Sequence, residues 1–333
     1  MIEIDGAKGG GQMLRTALTL STVTGKNFRM TNIRGSRKDA GLKDQHLQAV
    51  KMAKKLCDAK TEDVEFNSEE IVFKPGNLRN EALNADIGTA GSVNLVLETV
   101  LPVTTQLDED FSAEISGGTD VRWSPSSLHF REVKTELLEQ QGFRGGYEVE
   151  KTGFYPKGGG TARLETVSYS MERLDLVDRG ELEEVELTVK ASNSLEDEEV
   201  AEETLEALRS ELEVDVPVRE SFEYVDSVSE GSVSLLKASY ENSVAGFDAV
   251  DERGQRAEQN AFRTVTQFEQ FRGSEACVDS FVADQLIVFL ALVGGEVSIR
   301  ELTDHVETNL SVVEKFGKKV GYERKEGEVI LRR

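Results

Sequence analysis

Near its C-terminus the chain reads Asp284-Gln-Leu-Ile-Val-Phe-Leu-Ala-Leu-Val293, Gly294-Gly295, Glu296-Val-Ser-Ile-Arg300 and Glu301-Leu-Thr-Asp-His305-Val-Glu-Thr-Asn-Leu310. The first segment is apolar almost all round, which predicts a buried helix ended by the two glycines. The run from Glu296 to Arg300 alternates and predicts a strand. Val306 to Phe316 has the spacing of an amphipathic helix. Asp304 and Glu307 have capping-box spacing, so that helix is expected to start at Asp304, with His305 in its first turn. A hairpin around Glu326-Gly327 closes the chain.

The same order of elements occurs twice upstream. Met1 to Asp5 predicts a strand, and Gly9-Gly-Gly11 turns into a helix over Gln12 to Ser21. Phe28 to Ile33 predicts a strand, Gln45 to Leu56 a helix, and Val64–Phe66 with Glu70–Phe73 a hairpin. A second copy follows: strand Leu83 to Ile87, helix Ser92 to Leu101, strand Ser112 to Ser116. Then come a loop over Gly117 to Pro125, a helix ending near Gln141, and a hairpin around Gly153 to Gly160. The expected fold class is α+β, with three βαβαββ units around a pseudo-threefold axis over residues 1–180 and 274–333. Residues 181–273 are expected to form a small inserted α/β domain. Its strands are expected at Val185–Ala191, Ser221–Val225, Ser232–Tyr240 and Phe247–Arg253, and its helices at Leu195–Leu212 and Gln255–Phe271.

A chain of 333 residues buries a good core. It has no apolar run of roughly eighteen residues, the length a membrane span needs. Met1 opens directly into a strand pattern without a secretory signal, and Cys57 and Cys277 read as isolated thiols. A reducing, cytoplasmic setting is therefore expected. The net charge of −23 excludes a broadly basic nucleic-acid-binding face. It fits a self-repelling acidic surface, or one adapted to a salty cytoplasm that screens it. A local cluster of arginines remains open to a nucleic-acid substrate.

His305 is one of three histidines, with His46 and His129. In a first helical turn, unpaired N–H groups disfavour an imidazolium and favour bound anions. A neutral imidazole there suits nucleophilic attack on a phosphate; the plain alternative is a surface histidine beside an ordinary cap. If the three units pack symmetrically, their loops bring together Arg34 and Arg37, Gly117-Gly-Thr-Asp120, and His305. His46 and His129 read as helix residues without a role.

Several segments together resemble the RNA 3'-terminal phosphate cyclase family. They are Asp5-Gly-Ala with Gly9-Gly-Gly-Gln-Met-Leu-Arg15, Asn32-Ile-Arg-Gly-Ser-Arg37 with Gln45-His-Leu47, and Thr89-Ala-Gly-Ser92. Gly117-Gly-Thr-Asp-Val121 with Trp123-Ser-Pro125, Gly153 to Gly160, Ala283-Asp-Gln-Leu286, and His305 with Thr308-Asn309 complete the set. The resemblance runs through nearly the whole chain. It implies three repeats like the C-terminal domain of translation initiation factor three, plus an inserted domain. It also implies ATP-dependent conversion of an RNA 3'-terminal phosphate to a 2',3'-cyclic phosphodiester through histidine-AMP and RNA-adenylate intermediates. Carried over by position, His305 is the nucleophile. Phe281, Val282, Ala283, Asp284, Gln285, Pro125 and Glu98 bind ATP, with Phe281 and Pro125 flanking the adenine. Arg15, Arg34, Arg37 and Gln45 contact phosphates or support the site.

The chain departs from the family pattern at two places. Lys8 stands where the family has a Glu that helps hold a divalent metal, Mg²⁺ or Mn²⁺, and Glu98 stands at an ATP-contacting Gln. Glu98 is expected either to replace that carboxylate at the metal or to pair with Lys8 or an arginine. A non-catalytic branch of the family serves as a scaffold in ribosome assembly; it lacks the nucleophilic histidine that this chain keeps.

Overall fold

The first strand, β1 (Ile2–Asp5), pairs in parallel with β2 (Phe28–Thr31), and the crossover between them is α1 (Gly11–Thr24). After α2 (Asp44–Cys57), β3 (Lys60–Glu62) and β4 (Ile71–Lys74) return antiparallel, giving the sheet order β1-β2-β4-β3. This is a computed structural model that describes residues 1–251 and 256–333.

A second sheet is built alike. β5 (Leu83–Asp86) and β6 (Phe111–Gly117) are parallel across α3 (Val93–Val100), and β7 (Gly145–Lys151) and β8 (Gly160–Thr166) complete the order β5-β6-β8-β7. Its second helical segment is not a continuous α-helix. It runs as α4 (Ser127–His129), a π-helical stretch (Phe130–Thr135) and α5 (Glu136–Gln140).

The third sheet of this pattern begins with β9 (Leu174–Leu176), a strand that the sequence reading did not find. Its partner comes far downstream, because β10 (Leu182–Ser192), α6 (Val200–Glu211), β11 (Val218–Val225), β12 (Ser232–Tyr240), β13 (Ser243–Val250) and α7 (Ala257–Arg272) intervene. Then α8 (Ser280–Val293) leads to β14 (Gly295–Ile299), which pairs in parallel with β9. After α9 (Asp304–Lys315), β15 (Gly321–Lys325) and β16 (Glu328–Arg332) add antiparallel, in the order β9-β14-β16-β15.

The intervening strands form a fourth sheet, β11-β10-β12-β13. The expected strand end at Arg253 and helix start at Gln255 lie outside the described residues. The strand β12 is buried along most of its length, because both faces are covered. Val233 and Leu235 join the main core, while Leu236, Ala238 and Tyr240 join a second cluster with Leu205, Leu208 and Phe268. That division follows the two-residue period of a strand.

Other expectations shift locally. The first strand of the early hairpin is 60–62, not 64–66, because Asp63 and Asn67 take left-handed φ values of 61° and 66° that turn the chain. α8 starts at Ser280, before Asp284, because the Asp279 carboxylate accepts the N–H groups of Phe281 and Val282. α9 does begin at Asp304, but Thr303 caps it, accepting from the Val306 N–H at 3.2 Å. Cys57 and Cys277 are both buried free thiols whose pKa values burial pushes up, that of Cys277 to about 11. No helix among the described residues is long and apolar enough to cross a membrane.

Candidate active site

His305 is the second residue of α9, and its side chain is half exposed. Its Nδ1 lies 3.2 Å from an Asp284 carboxylate oxygen on α8. In the tautomer whose Nδ1–H points at Asp284, the lone pair lies on the other ring nitrogen, Nε2. The helix carrying the histidine is locked to its neighbours. Thr308, one turn on, accepts from Gln12 Nε2 at 3.2 Å. Asn309 accepts from Thr16 at 2.9 Å and donates to the Asp284 carbonyl at 3.1 Å. The start of α1 is thereby tied to the helix of His305.

That start has unusual chemistry. Gly10 occupies the N-cap, no side chain caps the helix, and its first turn has no acid. The free N–H groups favour an anion. Glycine is required at position 11 for a packing reason, since a methyl group there would lie 2.4 Å from His46 Nε2 and 3.2 Å from Arg15 Nη1. His46 is buried, and its Nδ1 accepts the Lys43 N–H at 3.1 Å. Burial, then the cations Arg15, Arg34 and Lys43, push its pKa down to about 3. The imidazole is therefore neutral with its proton on Nε2, directed at the glycine turn. The sequence reading gave His46 no role; its signal was position, immediately after Gln45 at the start of α2.

The expected phosphate contacts separate into two kinds. Arg37 is exposed, and its Nη2 comes close to Gly10. Arg34 donates to the carbonyls of Asp39 and Gly41 at 2.7 and 3.0 Å, so it also shapes its own loop; burial lowers its pKa, with Arg37 adding to the shift. Gln45 accepts the Ser92 N–H at 2.9 Å and holds the start of α3. Arg15 faces Glu98 at 3.7 Å.

Glu98 is nearly buried and meets two cations. Its second oxygen lies 3.3 Å from Nζ of Lys134, which is enclosed in the core. Burial lowers the Lys134 pKa, and Glu98 acts against that shift. Of the two expectations for Glu98, the geometry matches pairing, with Arg15 and Lys134 as partners; Lys8 is exposed at the glycine turn. Sequence reading missed Lys134, because a lone lysine in a helical pattern reads as surface. These side chains line a polar cavity of about 30 Å³ with Gln12, Asp284 and Gln285, room for roughly one water.

Within 281–285, Phe281 is partly buried, with its ring edge-on to His129 at 5.6 Å. Val282 and Ala283 are buried. Asp284 turns to His305, and Gln285 lines the cavity with its Oε1 unpartnered by any described protein atom. Pro125 is buried, and its carbonyl accepts from Asn94 at 2.8 Å.

This assembly of glycine turn, arginines and aspartate-held histidine coincides with a family match. The model for RNA 3'-terminal phosphate cyclase covers residues 7–320. The chain belongs to that family. RNA 3'-terminal phosphate cyclase of Halobacterium salinarum is 37% identical over 340 residues, covering 98% of each chain. The cyclase of Pyrococcus furiosus is 38% identical over 327 residues, covering 96% of this chain and 94% of its own. That of Saccharolobus islandicus is 38% identical over 324 residues, covering 95% and 94%. Among the described residues of this cyclase-family chain, no group of three His, Cys, Asp or Glu side chains is placed to hold a metal ion.

Proposed function

We propose that the protein uses ATP to convert an RNA 3'-terminal phosphate to a 2',3'-cyclic phosphodiester, with His305 as the nucleophile. The observation that carries this reading is the His305–Asp284 pair on α9, tied through Thr308 and Asn309 to the glycine-rich start of α1. In the first step Nε2 attacks the α-phosphorus of ATP, an N–P bond forms, and pyrophosphate leaves. An oxygen of the RNA 3'-phosphate then attacks the same phosphorus, the N–P bond breaks, and the RNA end carries AMP. The 2'-hydroxyl oxygen then attacks the terminal RNA phosphorus, its proton passing to solvent, and the P–O bond to AMP breaks so that AMP leaves. A phosphate monoester lacks a good leaving group, and adenylation supplies one. Holding nucleophile and phosphate on one ribose gives the last step its proximity advantage.

Each neighbouring group has a task in this sequence. Asp284 fixes the imidazole and stabilises it when the N–P bond places positive charge on the ring. Arg37, the neutral Nε2–H of His46 and the uncapped start of α1 are donors for phosphate oxygens. Phe281 is the surface for adenine, and Arg15 and Lys134 neutralise Glu98 so that it does not repel the nucleotide. The side chains do not fit a protein-held Mg²⁺ or Mn²⁺: Lys8 replaces a carboxylate, and Glu98 is already committed to two cations. No step is therefore assigned to such an ion.

The reading extends to architecture. The three sheets of equal strand order are taken as repeats around a pseudo-threefold axis, and residues 181–273 as a domain set into the third. Equal pairing senses and the separate cluster around Leu208 and Phe268 support this.

Incubation with α-labelled ATP followed by denaturing electrophoresis tests the chemistry. The protein should retain an acid-labile, alkali-stable label, and RNA ending in a 3'-phosphate should discharge it while RNA ending in a 3'-hydroxyl should not. A protein that never labels would sink the histidine-AMP step.

A further inference from the structure

Trp123 is 90% exposed and Tyr155 72%, the two most exposed large apolar side chains among the described residues. They sit on adjoining loops. The N–H groups of Thr119 and Asp120 both donate to the Gly153 carbonyl, at 3.0 and 3.2 Å, and Asp120 bridges to Phe154.

Neither loop is loose. Trp123 has φ of 60°, a left-handed value that a bulky side chain rarely takes. Its neighbours hold that conformation. Ser124 donates to the Val121 carbonyl at 2.8 Å, Asn94 grips the Pro125 carbonyl, and Ser127 binds both oxygens of Asp120. In the second loop, the Lys157 N–H donates to Ser229 at 3.2 Å. Gly158 lies so near Ala90 that a Cβ would come within 2.9 Å of its Cα. The fold thus spends backbone strain to hold an indole ring in water, a pattern that marks recognition sites.

Charge points to the ligand. The chain carries −23, yet residues 121–131 and 151–164 contain no Asp or Glu. They contain Arg122, whose guanidinium lies 5.2 Å over the Trp123 ring, together with Lys151 and Lys157. Residues 6–38 also contain no acid and carry Lys8, Arg15, Arg34 and Arg37. These acid-free stretches connect in space. Gly158 meets Ala90, Gly91 meets Gln45, and His46 beside it meets Gly11 at the start of α1. These contacts link acid-free stretches, with exposed rings at one end and the candidate nucleophile's neighbours at the other, an arrangement that suits a polyanion with stackable bases.

We propose that Trp123 and Tyr155 form a stacking platform for bases of single-stranded RNA upstream of the reacting 3' end, with the exposed Lys157 beside its phosphates. The inference rests on the RNA-cyclising reading above. Stacking is indifferent to base identity, because every base has a π-face, so the platform accepts any 3'-terminal sequence.

Trp123 is the only tryptophan of the chain, so its fluorescence reports this ring alone. An oligoribonucleotide ending in a 3'-phosphate should quench it saturably, while ATP and a nucleoside 3'-monophosphate should not. The parent should prefer the oligoribonucleotide to the mononucleotide in kcat/KM. Trp123→Ala and Tyr155→Ala should each shrink that preference by roughly tenfold, mainly through KM, and Trp123→Phe should restore it. Because the preference is a ratio within one variant, partial misfolding does not mimic the result. Unmoved fluorescence and an unchanged preference in an active parent would overturn the platform, leave the activity standing, and turn the exposed pair over to a protein contact. If the parent cyclises nothing, the activity reading falls. Saturable quenching would still support the platform in that case, and unmoved fluorescence would overturn it as well.

Discussion

Two histidines of this chain hold an aspartate at almost the same distance, His305 to Asp284 at 3.2 Å and His129 to Asp279 at 3.3 Å. Asp279 caps α8 and Asp284 lies in its second turn. The surroundings differ. His305 is half exposed, whereas His129 and Asp279 are enclosed, with Phe281 against the ring and Nδ1 unpartnered by any described protein atom. Asp279 also accepts the N–H of Gly246 on β13, so the inner pair fastens α4, β13 and α8 together. Burial alone would strip the charge from His129, but Asp279 and Asp248 outweigh it and its pKa is raised; that of Asp279 is lowered. A histidine–aspartate contact is thus neither catalytic nor structural by itself. Access to the far nitrogen decides.

The largest contrast should appear on deleting each ring. His305→Ala should abolish adenylation, a loss of roughly 10³-fold or more, and change stability by no more than about 0.5 kcal/mol, as exposed substitutions do. His129→Ala should cost about 3–5 kcal/mol, because Asp279 stays buried without its partner, while the folded fraction still labels. Denaturant unfolding and labelling on the same samples check both. A His129→Ala protein as stable as the parent would break the comparison.

Next come the aspartates. Asp284→Asn should slow adenylation by roughly 10²-fold or more by loosening the ring and its tautomer, with little effect on stability. Asp279→Asn should instead lower stability by about 3 kcal/mol. Single-turnover labelling and melting curves separate the two.

A pH series sharpens the contrast with His46. The raised pKa of His129 means that its stabilisation is full below its unfolded value near 6.5 and is lost as pH rises through the folded value. The lowered pKa of Asp279 means that its share is full above its unfolded value near 3.8 and is lost as pH falls through the folded value. His46, pushed down to about 3, works in the other direction. The unfolded chain takes a proton that the folded chain refuses, so stability falls as pH drops from about 6.5 to about 3. His46→Gln should flatten that acid limb, and His129→Gln should flatten the limb above 6.5. Unfolding free energies across pH test both signs.

Salt gives the smallest effect. The melting midpoint of the parent should rise from low to molar salt as its −23 charge is screened, whereas its margin over His129→Ala should stay constant, since the inner pair is shielded from ions. A margin that shrinks with salt would place that pair in contact with solvent.

Much of this molecule could be read from its residues. The long apolar run of α8, the alternation of β14 and the amphipathic spacing of α9 are each visible in the residues themselves. What escaped was set by contacts rather than pattern. β9 has three residues, too few to show alternation, and exists as a strand only because Gly295 to Val297 pair with it. Lys134 is buried with Glu98 facing it, and His46 is neutral because it is buried among cations, in space that Gly11 leaves for its ring. Of the two carboxylates at the start of α8, the resemblance named Asp284 in advance and nothing named Asp279, since no spacing marks either as a partner for a histidine.

The late partner of β9 has a consequence during synthesis. On the ribosome, the first two sheets can each close as soon as their own segments emerge. β9 emerges with them and must wait for Gly295, because the whole stretch from β10 to α8 lies between the two. At roughly 5–20 residues per second this exposes a strand edge for several seconds or more. During that interval the intervening sheet can fold, drawing Leu182 and Arg272 into one compact body and shortening the loop that the last sheet has to close. The C-terminal third, which carries His305, is therefore the last to be completed. A nascent chain released early would hold the arginines and the glycine turn, but neither the histidine nor the aspartate that steadies it.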